Sequence, residues 1–274
     1  MSRTVKSPAA QGPSAVASAV AIERMRARWR GFYALKLYLP LWAASRAGNA
    51  RLRALRGVVN RHVQPTRLPR VAWSAVLPNQ PIRLVETARG DGNVRLGELA
   101  VLAQAAVAAP AGREIVEIGT FDGRTTINLA INAPQAAGVF TLDLPPDQPT
   151  QFQLAPGERH FVDKPVPGAR FRSCSGPWAS DAERIVQLVG DSASFDWSPH
   201  LGKAGLVFVD GSHAYEYVRK DSETAFRLIA KDGIVLWHDY GVWEDVTRAL
   251  EELEAEHKLG LRHIRDTSLV VWRR

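Results

Sequence analysis

The sequence predicts an α/β protein with a doubly wound sheet of seven strands, preceded by a basic helical extension. Three observations carry that reading. Short apolar runs alternate with helical segments from residue 96 to the C-terminus, the pattern of a sheet with helices on both faces. The first run, Ile115–Ile118, leads into Gly119-Thr120-Phe121-Asp122-Gly123 and then a helical stretch. A strand, a tight glycine turn and a helix form half of a nucleotide-binding unit. Three apolar runs also end on or beside acids, Asp143, Asp210 and Asp239, and ligands of doubly wound sheets sit beyond the C-terminal strand ends.

The composition suits one large α/β domain with an appendage: 274 residues, 46% hydrophobic and 23% charged. A single cysteine, Cys174, excludes an intramolecular disulfide and gives no argument for an oxidising compartment. No apolar run reaches the roughly 18 residues of a membrane span. The Ala/Ser-rich start lacks the apolar segment of a secretory signal, so a cytoplasmic protein is expected. The net charge of +7 is unevenly placed. Residues 1–70 hold 14 Lys and Arg against one acid, Glu23, and the remainder holds 21 basic and 27 acidic side chains. The basic balance belongs to the extension, which weakens a nucleic-acid reading of the whole chain.

Residues 1–20 read as a disordered tail. In the basic extension, 21–70, Ile22, Met25, Trp29, Phe32 and Tyr33 recur at helical spacing among arginines. Such a segment fits packing on the domain or on a second copy, or peripheral contact with an anionic membrane; nucleic-acid contact or organelle targeting are the remaining readings. Residues 71–95 form a connector. Leu96–Ala109 reads as a helix with Leu96, Leu99 and Leu102 on one face, ended by Pro110. The domain, 96–274, continues with strands at 115–118, 138–143, 185–189, 205–210 and 234–237. An antiparallel pair at 261–265 and 268–272 closes it. Helices are expected from Arg124, from Tyr215 to Ala230, and from Val242 to His257. The proline-rich segment 145–180 is expected to fold over the site as a lid or substrate wall.

Asp143 lies 24 residues beyond Gly119, the placement of an acid that accepts hydrogen bonds from ribose hydroxyls. The glycines give G-x-x-x-G without the third glycine of a dinucleotide fingerprint. That argues against a nicotinamide dehydrogenase and favours S-adenosylmethionine at the turn 119–123. Gly190-Asp191-Ser192, after the third strand, suits an adenine edge. If the fourth and fifth strands are neighbours, Asp210 and Asp239 converge on a hard cation such as Mg²⁺; otherwise the two acids cap helices or repel. His213, three residues after Asp210, is the candidate general base for a hydroxyl proton. His238 remains a metal ligand, a second base or a spacer, although Mg²⁺ prefers oxygen.

From Glu114 onward the chain resembles class I S-adenosylmethionine-dependent methyltransferases, which have a Rossmann-like fold. Within these it is most similar to the macrocin and mycinamicin sugar O-methyltransferases. The resemblance rests on E-I-G-T-F-D-G-R-T-T (117–126), T-L-D-L-P (141–145), V-G-D-S (189–192), F-V-D-G-S-H-A-Y-E-Y-V-R-K-D (208–221) and G-I-V-L-W-H-D-Y (233–240). It implies that Glu117, Gly119 and Thr125 line the methionine end of the cofactor, Asp143 its ribose, and Asp191 and Ser192 its adenine. It also implies that Asp210 and Asp239 are metal ligands and His213 the base. One departure is His238, where the sugar enzymes usually carry an acid. The implied activity is O-methylation of a sugar, glycan or other small natural product. A hydroxylase-like or non-catalytic cofactor-binding member of the same fold is the alternative.

Overall fold

The computed structural model describes residues 66–88, 93–163 and 166–274, together with Lys36. The expected tail and nearly all of the basic extension lie outside the described residues.

Eight strands form one sheet: β1 (Arg70–Val71), β2 (Glu114–Ile118), β3 (Gly138–Asp143), β4 (Ile185–Val189), β5 (Ala204–Val209), β6 (Ile229–Trp237), β7 (Arg262–Ile264) and β8 (Val270–Arg273). Their order is β1-β7-β8-β6-β5-β2-β3-β4. The helices are α1 (Leu96–Ala108), α2 (Arg124–Asn132), the short α3 (Arg159–Val162), α4 (Ala169–Arg172) and α5 (Ala179–Ala182), then α6 (Tyr215–Leu228) and α7 (Glu244–His257). The seven expected strands are joined by a two-residue eighth, β1, which pairs parallel to β7. Strands β4, β3, β2, β5 and β6 run parallel, and β8 is antiparallel to both β6 and β7. The chain winds outward from β2 to β4 and then restarts at β5 on the other side of β2. The crevice between the ends of β2 and β5 is therefore the topological switch point, where this architecture binds ligands.

Strand alternation divides the core. In β5, Val207 and Val209 pack with Trp237, Leu250 and Leu253 on the face covered by α6 and α7. Leu206 and Phe208 pack with Leu99, Leu102 and Leu129 on the opposite face. Each such side chain, fully buried, contributes about 1.5–3 kcal/mol. Leu96 departs from its expected place on the buried face of α1: as the first helical residue it is 50% exposed. Helix α6 stops at Leu228, two residues short of expectation, because Ile229 and Ala230 already belong to β6.

The connector belongs to the same compact unit, which begins at Thr66. Side-chain amides hold it in place. Gln104 of α1 accepts from Gln80 N and donates to Gln80 O. Asn132 and Asn128, one turn apart on α2, do the same for Arg83 and Val85. The amides supply the complementary donor and acceptor that a neighbouring strand would otherwise offer.

Strand register levels the functional ends. Ile118 pairs with Leu142 and Val209, and Val209 with Trp237. Consequently Asp143, Gly119, Asp210 and His238 lie side by side across one edge of the sheet.

Candidate active site

The glycine turn follows from that register. Gly119 takes φ +101°, and a Cβ there would stand 2.1 Å from the Asp210 carbonyl oxygen. Only glycine lets the ends of β2 and β5 approach so closely. Gly123, at φ +84°, opens α2, and a Cβ there would strike the Phe171 ring at 2.5 Å. Phe121 is left-handed too, with φ 50°, and its N–H donates to Asp143 Oδ2 at 2.8 Å. Asp143 Oδ1 accepts from Leu144 N at 2.9 Å. The predicted ribose acid is thus also the brace of the turn. Asp122 accepts from Arg124 N at 3.0 Å and from Arg170 Nε at 2.7 Å, so it fastens α4 of the 145–180 segment to the turn.

Beneath the turn lies a neutral network. Gln187 Nε2 donates to Thr120 Oγ1 (2.9 Å), which bonds to Thr141 Oγ1 (2.7 Å); Thr141 in turn donates to Glu117 Oε2 (2.6 Å). Thr126 Oγ1 also donates to Glu117 Oε2. Glu117 is fully buried, and its Oε1 has no hydrogen-bond partner among the described residues. Burial pushes its carboxyl up to about 8; the two threonine hydrogen bonds oppose this, and Asp210 and Asp143 reinforce it. Thr125 is half-buried in the first turn of α2. Asp191 is buried and accepts from Gln151 N (2.6 Å) and Ala193 N (3.0 Å), while half-buried Ser192 accepts from Trp197 Nε1 through its carbonyl (3.2 Å).

The ends of β5 and β6 are charged instead. Asp210, His213 and Asp239 each offer one possible metal-ligand atom, all within 4.8 Å of one another. Asp239 occupies the left-handed region at φ 62°, a conformation found where surrounding contacts over-determine a functional position. His213 lies between two carboxylates, with Nε2 at 2.7 Å from Asp239 Oδ2 and Nδ1 at 2.8 Å from Glu158 Oε1. Its ring stacks on Trp243 at 4.3 Å and 12°. Burial alone would lower the His213 pKa, but Asp239 and Glu158 outweigh it and raise it to about 10. The second histidine has the same form. His238 Nδ1 is 2.9 Å from Asp210 Oδ1 and 3.4 Å from Asp239 Oδ2, and Nε2 is 3.3 Å from Glu98 Oε2. Its pKa is also raised: burial opposes the shift, and Asp210 and Asp239 prevail. Asp239 lies well below the usual carboxylate range, because His238 and His213 overcome the cost of its burial.

Four of these contributors escaped the sequence reading. Glu98 opens α1 in a capping box with Arg95, and arginine is not among the N-cap residues that mark such a box in a sequence. Glu158 comes from the proline-rich segment and also accepts from Ser212 Oγ, His213 N and Ala155 N. Trp243 precedes α7. Arg124 is buried and donates to the carbonyls of Glu86, Thr87 and Val94, pinning the connector beside the turn. His200 is buried and paired with Glu114 at 2.8 Å.

Residues 116–240 match the sequence model of a methyltransferase-domain family. No curated protein matches the chain. Among solved structures it is similar to the O-methyltransferase NovP, with 16% identity over 66% of this chain and 80% of that one and a TM-score of 0.47. It is also similar to the O-methyltransferase TomG from Streptomyces achromogenes, involved in tomaymycin synthesis and solved with its cofactor (21%, 67% and 82%, 0.45). A third similar structure is the calicheamicin methyltransferase CalS11 (16%, 73% and 89%, 0.45). The described residues contain no helix long and apolar enough to cross a membrane. The glycine turn at the topological switch point lies within residues 116–240, the stretch that matches the methyltransferase-domain model.

Proposed function

We propose that this methyltransferase acts on a hydroxyl of a sugar, glycan or other small natural product, with His213 as general base and a divalent cation at Asp210 and Asp239. The observation that carries this reading is the Asp210–His213–Asp239 cluster, at the strand ends beside Gly119. S-adenosylmethionine supplies an activated methyl group. The acceptor oxygen forms a bond to that carbon, the carbon–sulfur bond breaks, and the hydroxyl proton passes to His213 Nε2. Most of the remaining task is alignment. The unpartnered Oε1 of buried Glu117 would accept from the cofactor's ammonium group once the carboxyl is ionised, and Gly119, Thr120, Phe121, Gly123 and Thr125 form the wall beside it. Asp143 faces the ribose, and Asp191 and Ser192 face the adenine.

In the folded site both His213 nitrogens meet carboxylates, so the ring holds two protons near neutral pH. To accept the hydroxyl proton, His213 must first give up the proton it shares with Asp239 through Nε2, leaving the ring neutral. A cation at Asp210 and Asp239 supplies the charge that would compete for Asp239, and the donor set fits: two carboxylates with imidazole nitrogens beside them. Calorimetry with S-adenosylmethionine, followed by transfer of a labelled methyl group to a panel of glycosides and phenols, tests the reading. Saturable cofactor binding with transfer to an oxygen supports it; binding without any transfer favours a non-catalytic role. The basic extension is proposed to meet an anionic membrane or a second copy.

A further inference from the structure

The departure at His238 changes the kind of cation this site would take. His238 lies where one imidazole nitrogen looks onto the acid pair and the other onto a buried carboxylate. Glu98 is 2% exposed. Its Oε1 accepts from Ser268 N (2.7 Å) and Ser268 Oγ (2.8 Å), and its Oε2 from Arg95 N (2.8 Å). Arg95 also pairs with it through the guanidinium. Helix α1 and the start of β8 therefore hold Glu98 rigidly, 140 residues from His238 in sequence. With Oε2 facing Nε2 at 3.3 Å, Glu98 is placed to hold the proton on Nε2. Nδ1 faces Asp210 Oδ1 (2.9 Å) and Asp239 Oδ2 (3.4 Å), to which it hydrogen-bonds without a cation and beside which it would ligate one. A carboxylate that holds the far nitrogen of a metal-binding imidazole is the usual outer partner of such a ligand.

Resting on the cation site proposed above, we infer that Asp210, His238 and Asp239 form a mixed nitrogen–oxygen set. Glu98 is its positioning residue, and the set accepts a divalent transition cation such as Mn²⁺ or Co²⁺ in preference to Mg²⁺. Magnesium is held by oxygen, whereas imidazole suits the first-row transition ions. Stacked on Trp243 and held by Glu158, His213 stays outside this set as the base.

The test uses tag-free full-length protein stripped with a chelator. MgCl₂, MnCl₂ and CoCl₂ are titrated by calorimetry, and the Mn²⁺ form is examined by pulsed electron paramagnetic resonance for coupling to nitrogen. The expected result is at least tenfold tighter binding of Mn²⁺ and Co²⁺ than of Mg²⁺, with a ¹⁴N coupling. His238→Asp should abolish that coupling and narrow the preference, whereas His213→Asn should retain it. Glu98→Gln removes the charged acceptor behind His238 and should weaken Mn²⁺ by about 10–100-fold and alter the ¹⁴N coupling of the Mn²⁺ that still binds, a readout that the accompanying loss of stability from a donor replacing an acceptor does not move. Mg²⁺ binding as tightly as Mn²⁺ without nitrogen coupling overturns the inference and leaves the oxygen-ligated cation site standing. Coupling that vanishes in His213→Asn and survives in His238→Asp overturns the assignment of the ligand. Unaltered Mn²⁺ affinity in Glu98→Gln overturns its positioning role. If no cation binds while S-adenosylmethionine does, both metal statements fail and the methyltransferase remains.

Discussion

The two sides of the crevice are built from different materials. On the glycine-turn side, Thr120, Thr126, Thr141 and Gln187 surround one buried acid, Glu117. On the side of β5 and β6, two histidines are each flanked by carboxylates: Glu158 and Asp239 around His213, Glu98 and Asp210 around His238. In the proposed reaction the first side would supply shape and neutral hydrogen bonds, because S-adenosylmethionine brings its own activation. In that proposal the second would take up a proton, and closely spaced opposite charges in a buried setting shift pKa values most strongly. If so, binding and chemistry are separable, with Gly119 and the Asp210 backbone closely opposed at the seam.

That separation can be broken experimentally. The largest effect is expected from His213→Ala, which should lower kcat by at least about 100-fold, in the range of general acid–base contributions, while cofactor affinity measured by calorimetry stays within about twofold. A parallel loss of cofactor binding would show that the two sides are coupled. Gly119→Ala attacks the seam itself. The added Cβ meets the Asp210 carbonyl oxygen at 2.1 Å, and the left-handed backbone adds strain, so a loss of at least about 2 kcal/mol is expected. Thermal unfolding would register this as a drop of several degrees, with cofactor affinity and activity falling together.

Glu158→Gln sharpens the comparison on the charged side. One of the two carboxylates that raise the His213 pKa to about 10 is removed. His213 acts as a base only when deprotonated, so kcat/KM should rise with pH in the natural protein, and in the variant that rise should move to lower pH. The maximum should also fall by about tenfold, the order expected for losing a hydrogen bond to a charged group. A pH profile unmoved by the substitution would remove Glu158 from the site's electrostatics.

The smallest effect concerns stability. Asp221 is fully buried behind Gly211, and burial, with the nearby Asp191 charge, pushes its carboxyl up to about 7. Glu117 is raised to about 8. A folded-state pKa above the unfolded value means that the folded protein holds the proton more tightly. The associated stability is full below about pH 4 and is lost as pH rises through 7 to 8. Melting temperature should therefore decline between pH 5 and 8 on account of these groups, and Asp221→Asn should flatten part of that slope.

The legible parts of the site were those encoded locally. Gly119 and Gly123 bracket a turn directly after an apolar run, and Asp143, Asp210 and Asp239 close the runs that became β3, β5 and β6. Short-range pattern sufficed because strand polarity in a doubly wound sheet sends all these ends to one edge. Glu158 was hidden in a proline-rich stretch whose prolines masked three short helices. Trp243 was counted within the α7 prediction, whereas it sits just before the helix and stacks on His213. The connector read as a spacer because Gln104, Asn128 and Asn132 hold it through side-chain amides, which leave no periodic trace.

By itself the sequence determined the α/β alternation, the glycine turn, the strand-end acids and the place of His213 three residues beyond Asp210. Each follows from residues close together in the chain, where steric limits and hydrophobic period act directly. The tertiary structure alone decided that Glu98 stands behind His238, Glu158 behind His213, and Arg124 beneath the connector. Those contacts join residues 30 to 140 positions apart. Strand register and helix packing bring them within hydrogen-bond reach, and no local pattern in the chain encodes that distance.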